Sequence, residues 1–396
     1  MTGSEAIALY RQYVIGNYAR LPIVFVRGEG SHLWDADGRR YIDLFPGWGV
    51  DGLGHCHPRV VAAIREQAGR LLHVANNYYM VPQARFAQMI SERSFGGKCF
   101  FCNSGAEANE GAMKLARLAT HAAGKSRWKF ITFQNGFHGR TLAAISATAQ
   151  PKYHQGFEPI VPGFLYAPFN DLKAVEALVD KETCAILVEP IQGEGGINLA
   201  QPDFLQGLRK ICEREGMILI FDEVQTGCGR TGKWFGYQHF GVTPDIMTLS
   251  KALGGGVATG AIVAQSRVAE KLAPGTHAST FGGNPLACAA GIAAFEAIEE
   301  ENLLKNTMAV GRHAFARLQA MKEKFPFIRE VRGKGLMIGM DLDRPGKDVV
   351  ARCLAEGLLI NCTHDTVIRM LPAMTISREI MDEGLDILEK SLAAEK

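Results

Sequence analysis

Short apolar runs alternate with longer amphipathic stretches through the middle of the chain. KFITF (129–133), CAILVEP (184–190), MILIFDE (217–223), DIMTLSK (245–251) and GAIVAQ (260–265) are near-continuous apolar segments, the pattern of strands buried on both faces. Between two of them, PDFLQGLRKICEREG (202–216) carries its apolar residues at helical spacing, with Pro202 and Asp203 at its start and Gly216 just past its end, where helices begin and stop. Strands alternating with helices predict a mostly parallel sheet covered on both faces. From about residue 300 the texture changes. A charged helix over 302–323, a strand-like VRGKGLMIGMDL (331–342), a helix over 346–356, the strand-like GLLINC and TVIRMLP, and an amphipathic helix near 377–394 read as a smaller α+β domain. The strand-like PIVFVRGEG and HLWDADGRRYIDL near the start are expected to pack against it. The reading is an α/β protein with an N-terminal segment (1–48), a large domain (49–300) and a small C-terminal domain (301–396).

Composition narrows this picture. The chain has 396 residues, enough for two or three domains. Its 47% hydrophobic and 21% charged content is ordinary for a soluble protein. A net charge of +2 without a long run of one sign argues against nucleic acid and against a polybasic membrane anchor. No basic-then-apolar leader opens the sequence, and no apolar stretch approaches the ~20 residues of a membrane span. The nine cysteines are scattered. CFFC (99–102) reads as a buried strand, and His55-Cys56-His57-Pro58 lacks a second ligand pair at zinc-like spacing. No metal site and a cytoplasmic location are expected.

Chemistry gathers where the apolar runs end. Phe137 and His138 follow KFITFQNG, Glu189 follows AILV, Asp222 follows MILIF, and Ser250 and Lys251 follow IMTL. Ligands of open α/β sheets bind outside the carboxyl ends of the strands. Asp222, partly desolvated there, needs a cation; a protonated pyridine nitrogen would serve, as would a helix N-cap or a structural ion pair. Lys251 alone reads as a solvated charge. After a buried strand and before ALGGG, desolvation instead favours its neutral amine, the form that condenses with an aldehyde. In SGAEAN (104–109) the small residues Ser104, Gly105 and Ala106 open a helix whose N–H groups can hold an anion, or form a cap without a ligand.

SGAEAN, FHGRT (137–141), VEPIQGEGG (188–196), FDEVQTGCGRTG (221–232), LSKALGGG (249–256) and STFGGNPLAC (279–288), in this order, resemble the class III aminotransferases, and the likeness runs nearly the whole chain. It implies the fold type I architecture of pyridoxal-phosphate enzymes, with pyridoxal 5′-phosphate as cofactor. Lys251 is implied as the lysine that carries the cofactor, and Asp222 as the partner of its ring nitrogen. Ser104, Gly105 and Ala106 are implied to bind the phosphate, Phe137 to stack on the ring, His138 to border it, and Gln225 to reach its hydroxyl. Thr280 is implied to cross to the other subunit's phosphate, which makes a homodimer with shared sites. Tyr18, Arg140, Ser279 and Arg369 are implied substrate contacts. Glu194 is implied as a gate that pairs with Arg369 and releases it for 2-oxoglutarate or glutamate. NYARLP, RGEGSHLWD, FNDL (169–172) and LLINCTHDTVIRMLP are most similar to members whose donor is N2-acetyl-L-ornithine, a step of arginine biosynthesis. Ornithine, succinylornithine and 4-aminobutyrate are the alternative amine substrates. An aminomutase would need no 2-oxoglutarate, and the two arginines with Glu194 speak against it. Trp48, where relatives carry a smaller aliphatic residue or a tyrosine, either narrows the acyl end of the pocket or packs.

Overall fold

A computed structural model describes residues 1–124 and 127–395. The chain opens with α1 (Gly3–Tyr13), β1 (Phe25–Glu29), β2 (His32–Asp35), β3 (Arg40–Asp43), α2 (Pro58–Ala68) and α3 (Val81–Arg93). There follow β4 (Lys98–Cys102), α4 (Gly105–Ala122), β5 (Lys129–Phe133), α5 (Leu142–Ala147), β6 (Phe164–Ala167), α6 (Leu172–Leu178) and β7 (Thr183–Val188). Next come β8 (Ile191–Gln192), β9 (Asn198–Leu199), α7 (Pro202–Glu215), β10 (Ile218–Asp222), β11 (Ile246–Leu249), β12 (Gly260–Ala264), α8 (Ser266–Ala269) and α9 (Pro285–Glu300). The last part holds α10 (Leu303–Lys324), β13 (Ile328–Lys334), β14 (Met337–Leu342), α11 (Lys347–Ala355), β15 (Leu358–Leu359), β16 (Asn361–Thr363), β17 (Val367–Met370) and α12 (Arg378–Ala393).

The expected mostly parallel sheet is a seven-stranded one in the order β4-β12-β11-β10-β7-β5-β6. β10 pairs in parallel with β7 and β11, β5 pairs in parallel with β6 and β7, and β12 runs antiparallel to both neighbours. β7, β10, β11 and β12 are buried at every position, which is why their sequences are unbroken apolar runs rather than alternating ones. α7 shows the reverse economy: Phe204, Leu205, Leu208, Ile211 and Cys212 face the sheet, and Gly216 ends the helix in the left-handed region. Because β4, β5, β7, β10 and β11 point the same way, the turns after them converge on one edge of the sheet.

A second layer packs beside that edge. β13-β14-β17-β16 form an antiparallel sheet, and β1-β2-β3 are joined by β15, whose Leu358 pairs with Ile42. Ile42 and Leu44 share a core with Val310, Leu318, Met340, Ile368 and Leu388. One expectation is corrected here. VRGKGLMIGMDL is two strands, β13 and β14, turned back at Gly335. Gly335 sits at φ +57, and a Cβ there would lie 2.6 Å from the Thr231 carbonyl carbon, so only glycine turns the chain against that backbone.

Candidate active site

Asp222 ends β10 and is 3% exposed. Its Oδ1 accepts the Val224 N–H at 3.0 Å, and its Oδ2 accepts the Asn109 amide at 2.8 Å and lies 2.8 Å from His138 Nδ1. Asn109 also donates to the His138 carbonyl at 2.8 Å and accepts the Thr248 hydroxyl at 2.8 Å. Each buried partner is satisfied, which holds the carboxylate in one orientation. Asn109 was missed as a site residue, although it lies inside SGAEAN; the signal was a polar residue one turn into a helix that faces a sheet.

Lys251 opens a 3₁₀ turn at φ 48, and Gly255 and Gly256 then bring the chain round with positive φ. A lysine in the left-handed region carries backbone strain of about 1–3 kcal/mol, and such strain clusters at functional positions. Burial lowers the Lys251 pKa; Arg369 lowers it further, while Glu194, Asp222 and Glu189 oppose. The neutral amine is thereby favoured.

Ser104 caps α4. Its hydroxyl accepts the Glu107 N–H at 3.2 Å, and Glu107 reaches back to the Asn103 N–H at 2.7 Å. The Ser104 proton stays available to donate, and the Gly105 and Ala106 N–H groups lie beyond the reach of the helix's own carbonyls. Val224 closes the other side, 2.8 Å from where a Cβ on Gly105 would stand. Phe137 is fixed through its N–H, which donates to Glu189 at 3.0 Å, while the other Glu189 oxygen accepts the Gly193 N–H at 3.0 Å. Burial, with Asp222, pushes the Glu189 carboxyl up to about 7 against the pull of His138. Glu189 thus ties the turn bearing Phe137 to the turn bearing Glu194.

These groups enclose a cavity of about 160 Å³, lined among others by Ala106, Phe137, Asp222, Gln225, Glu194 and Lys251. The Glu194 carboxylate meets Arg369 as a fork, at 2.8 and 3.2 Å. Arg369 is 1% exposed, donates from Nε and Nη2 to Asn361 Oδ1 at 3.2 and 2.9 Å, and lies 4.8 Å from the Phe45 ring centroid. Burial raises the Glu194 pKa, but Arg369, Lys251 and Gln225 outweigh it and hold the carboxyl below the usual glutamate value. Gln225 is buried, and its Oε1 has no hydrogen-bond partner.

The other expected contacts do not line this cavity. Arg140 is exposed at its border, with its guanidinium 5.4 Å from the Phe137 ring centroid and 4.1 Å from that of Tyr153. Ser279 anchors its own loop, accepting the Gly282 N–H at 3.0 Å and the Asn103 amide at 3.3 Å. Thr280 is exposed beside the exposed Phe281. Tyr18 is exposed in an apolar groove along α1 that ends at Leu359. Trp48 stands at φ 56, half exposed, edge-on to Phe45; it neither joins the core nor lines the cavity. No cluster among the described residues can hold a metal ion. His55 instead contacts Asp43 at 2.9 Å and His57 contacts Glu301 at 3.1 Å, while burial raises the Cys99 and Cys102 thiols to about 12.

Residues 13–392 match the family model of aminotransferase class-III. The chain is a class-III aminotransferase. This aminotransferase is 47% identical over 393 residues to the acetylornithine aminotransferase of Methanocaldococcus jannaschii, covering 98% of each chain. It is 49% identical over 389 residues to that of Caldanaerobacter subterraneus, covering 98% of this chain and 99% of the other. A structure of the Toxoplasma gondii ornithine aminotransferase, with partial occupancy of PLP at its active site, superposes with a TM-score of 0.95 at 36% identity, covering 99% and 94% of the two chains. No described helix of this aminotransferase is long and apolar enough to cross a membrane.

Proposed function

We propose that this aminotransferase holds pyridoxal 5′-phosphate on Lys251 and moves the δ-amino group of N2-acetyl-L-ornithine to 2-oxoglutarate, giving N-acetyl-L-glutamate 5-semialdehyde and L-glutamate. The observation that carries the reading is the Glu194–Arg369 fork, whose Glu194 lines the same cavity as Lys251. The residues present fit the cofactor: the unpartnered Gln225 Oε1 suits a ring hydroxyl, the Gly105 and Ala106 N–H groups suit a phosphate, and Asp222 suits a protonated ring nitrogen. When bound, that cationic ring draws electrons from the carbon that carries the amino group.

The chain's own residues supply the rest. The neutral Lys251 amine takes a proton from Cδ of the donor, and in the second half-reaction its ammonium gives one to Cα of the acceptor. Asn109, His138 and Val224 keep the Asp222 carboxylate in place, and Glu189 fixes Phe137. With Glu194 across Arg369, that arginine is not free for a second carboxylate, which suits a donor that carries only one. With Glu194 withdrawn, Arg369 can take one carboxylate of 2-oxoglutarate as a bidentate pair. Arg140 is the candidate for the other. The names of the 47–49% identical relatives favour the acetylated donor.

The test is an amino-donor panel with 2-oxoglutarate fixed. N2-acetylornithine should give the highest kcat/KM, and initial rates against both substrates should plot as parallel lines. A clear preference for free ornithine overturns the donor; converging lines overturn the alternating scheme.

We also propose a homodimer with shared sites. Tyr78, Tyr79, Val81, Leu142, Phe157 and Phe281 are large apolar side chains left exposed on this chain, and Thr280 adjoins Phe281; a partner subunit would cover such side chains. A monomer in sedimentation equilibrium at micromolar concentration would exclude it. Residues 49–300 are proposed as the large domain, with 301–396 and the packed segment 1–48 forming the smaller unit.

A further inference from the structure

The loop that carries Glu194 is held at two of its carbonyls by the sheet that carries Arg369. Thr363, at the end of β16, donates its hydroxyl to the Glu194 carbonyl at 2.7 Å. Arg332, in β13, donates through Nε and Nη2 to the Gly196 carbonyl at 3.0 and 2.8 Å. Arg332 is itself aimed by Glu330 at 2.7 Å and Asp341 at 3.2 Å. One residue further on, Ile197 is fully buried at φ 58, a conformation that a β-branched residue adopts only when its surroundings force it. Its side chain clusters with Met337, in the β14 strand that pairs with β17, and with Leu371, which directly follows β17. Elsewhere the loop is tied by the Gly193 N–H on Glu189 at 3.0 Å, the Asn198 amide on the Gly195 carbonyl at 2.8 Å and the Gln192 amide on the Gln134 carbonyl at 2.8 Å. The main chain from the Glu194 carbonyl to Gly196 is therefore held toward the sheet of Arg369 by Thr363 and Arg332.

We propose that Thr363 and Arg332 are positioning residues for the Glu194 gate, and that their grip on the Glu194 and Gly196 carbonyls sets the balance between one-carboxylate donors and the dicarboxylate acceptor. This rests on the gate reading of Glu194 and Arg369. Neither residue lines the cavity. Each acts by favouring the closed fork, which a dicarboxylate must open before it can reach Arg369.

The experiment uses the holoenzyme and two unreactive probes, glutarate and valerate, as competitive inhibitors. Thr363→Val removes one hydrogen bond, worth about two- to tenfold in an equilibrium constant. Glutarate should bind tighter by that factor while valerate does not, and the KM for 2-oxoglutarate should fall relative to that of the donor. Thr363→Ser, which restores the hydroxyl, should return the wild-type ratio. Arg332→Lys, which gives up the fork on Gly196, is the second variant and should move the ratio in the same direction. Equal changes for both probes, or none, overturn the positioning role if Glu194→Ala still tightens glutarate. If Glu194→Ala does not tighten glutarate, the gate reading fails and this inference falls with it.

Discussion

Glu194→Ala probes the central pair most directly. Arg369 is 1% exposed and the fork closes at 2.8 and 3.2 Å. Removing one member of a buried pair costs about 3–5 kcal/mol, because the remaining charge is left uncompensated. Two features put this site at or below the bottom of that range. The Glu194 side chain is 23% exposed, so water reaches the fork. Arg369 also keeps the Asn361 oxygen and the Phe45 ring in the variant. A loss of about 2–3 kcal/mol follows, or about 3 °C in Tm for a chain of this size unfolding as one unit. The same change frees Arg369 for a ligand. Glutarate, which must displace Glu194 in the native enzyme, should bind about 10- to 100-fold tighter to the variant, equivalent to about 1.4–2.8 kcal/mol of the lost pairing. Thermal melts with and without glutarate read both effects: the variant melts lower without ligand and gains more from it. An unchanged Tm together with unchanged glutarate affinity would refute the reasoning, since it would mean that the fork neither stabilises the chain nor competes with a dicarboxylate.

Lys251→Ala should abolish transamination and remove the visible absorbance of cofactor joined to lysine while the chain stays folded by circular dichroism; measurable turnover would refute the assignment. Gly260→Ala places a Cβ 2.6 Å from the Ser104 carbonyl oxygen, a main-chain atom, so the turn must shift. Overpacking of this kind costs about 1–3 kcal/mol, and cofactor titration should show weaker binding, whereas native affinity would mean that the turn does not set it. Burial, helped by Lys334 and Lys233, brings the His239 pKa from 6.5 down to about 4. The unfolded chain therefore takes up a proton that the folded chain refuses between those values, and stability falls as the pH is lowered through that window. The contribution is about 2 kcal/mol once solvent screening is allowed for. His239→Asn should flatten the drop in urea-unfolding free energy from pH 7 to pH 4.5. Glu189 and Glu223, both raised to about 7 mainly by burial, act in the opposite sense but equally in both proteins. Identical pH slopes for the two proteins would rule the histidine out.

How far the molecule was legible in its sequence follows from the range of the interactions. β7, β10 and β11 were readable because a strand covered on both faces must be apolar throughout, and the same geometry forces chemistry to the strand ends, where Asp222 and Lys251 stand. The hairpin between β13 and β14 was missed although RGKG (332–335) is a short charged break between apolar residues; what bends the chain at Gly335 is the backbone of Thr231 pressed against it, a contact no local pattern reports. Asn109 meets Asp222 across 113 positions, Arg332 meets Gly196 across 136, and Thr363 meets Glu194 across 169. Such bonds leave no periodic trace. Motif resemblance supplied roles for Tyr18 and Ser279 but no place in space, and neither lines the cavity of this chain; the role it implies for Thr280 lies in the other subunit's site. The division has a physical reason. Reaction chemistry depends on residue types that must follow a buried strand, so it is written locally. Substrate choice here depends on how firmly one loop is held against another part of the fold, and that is decided by contacts the chain makes only once folded. Glu194 and Arg369 are recognisable one by one, but their 2.8 Å separation is a property of β17 and of the strained turn at Ile197. Replacing side chains that touch no substrate should therefore shift the balance between donor and acceptor without altering the proton transfer at Lys251.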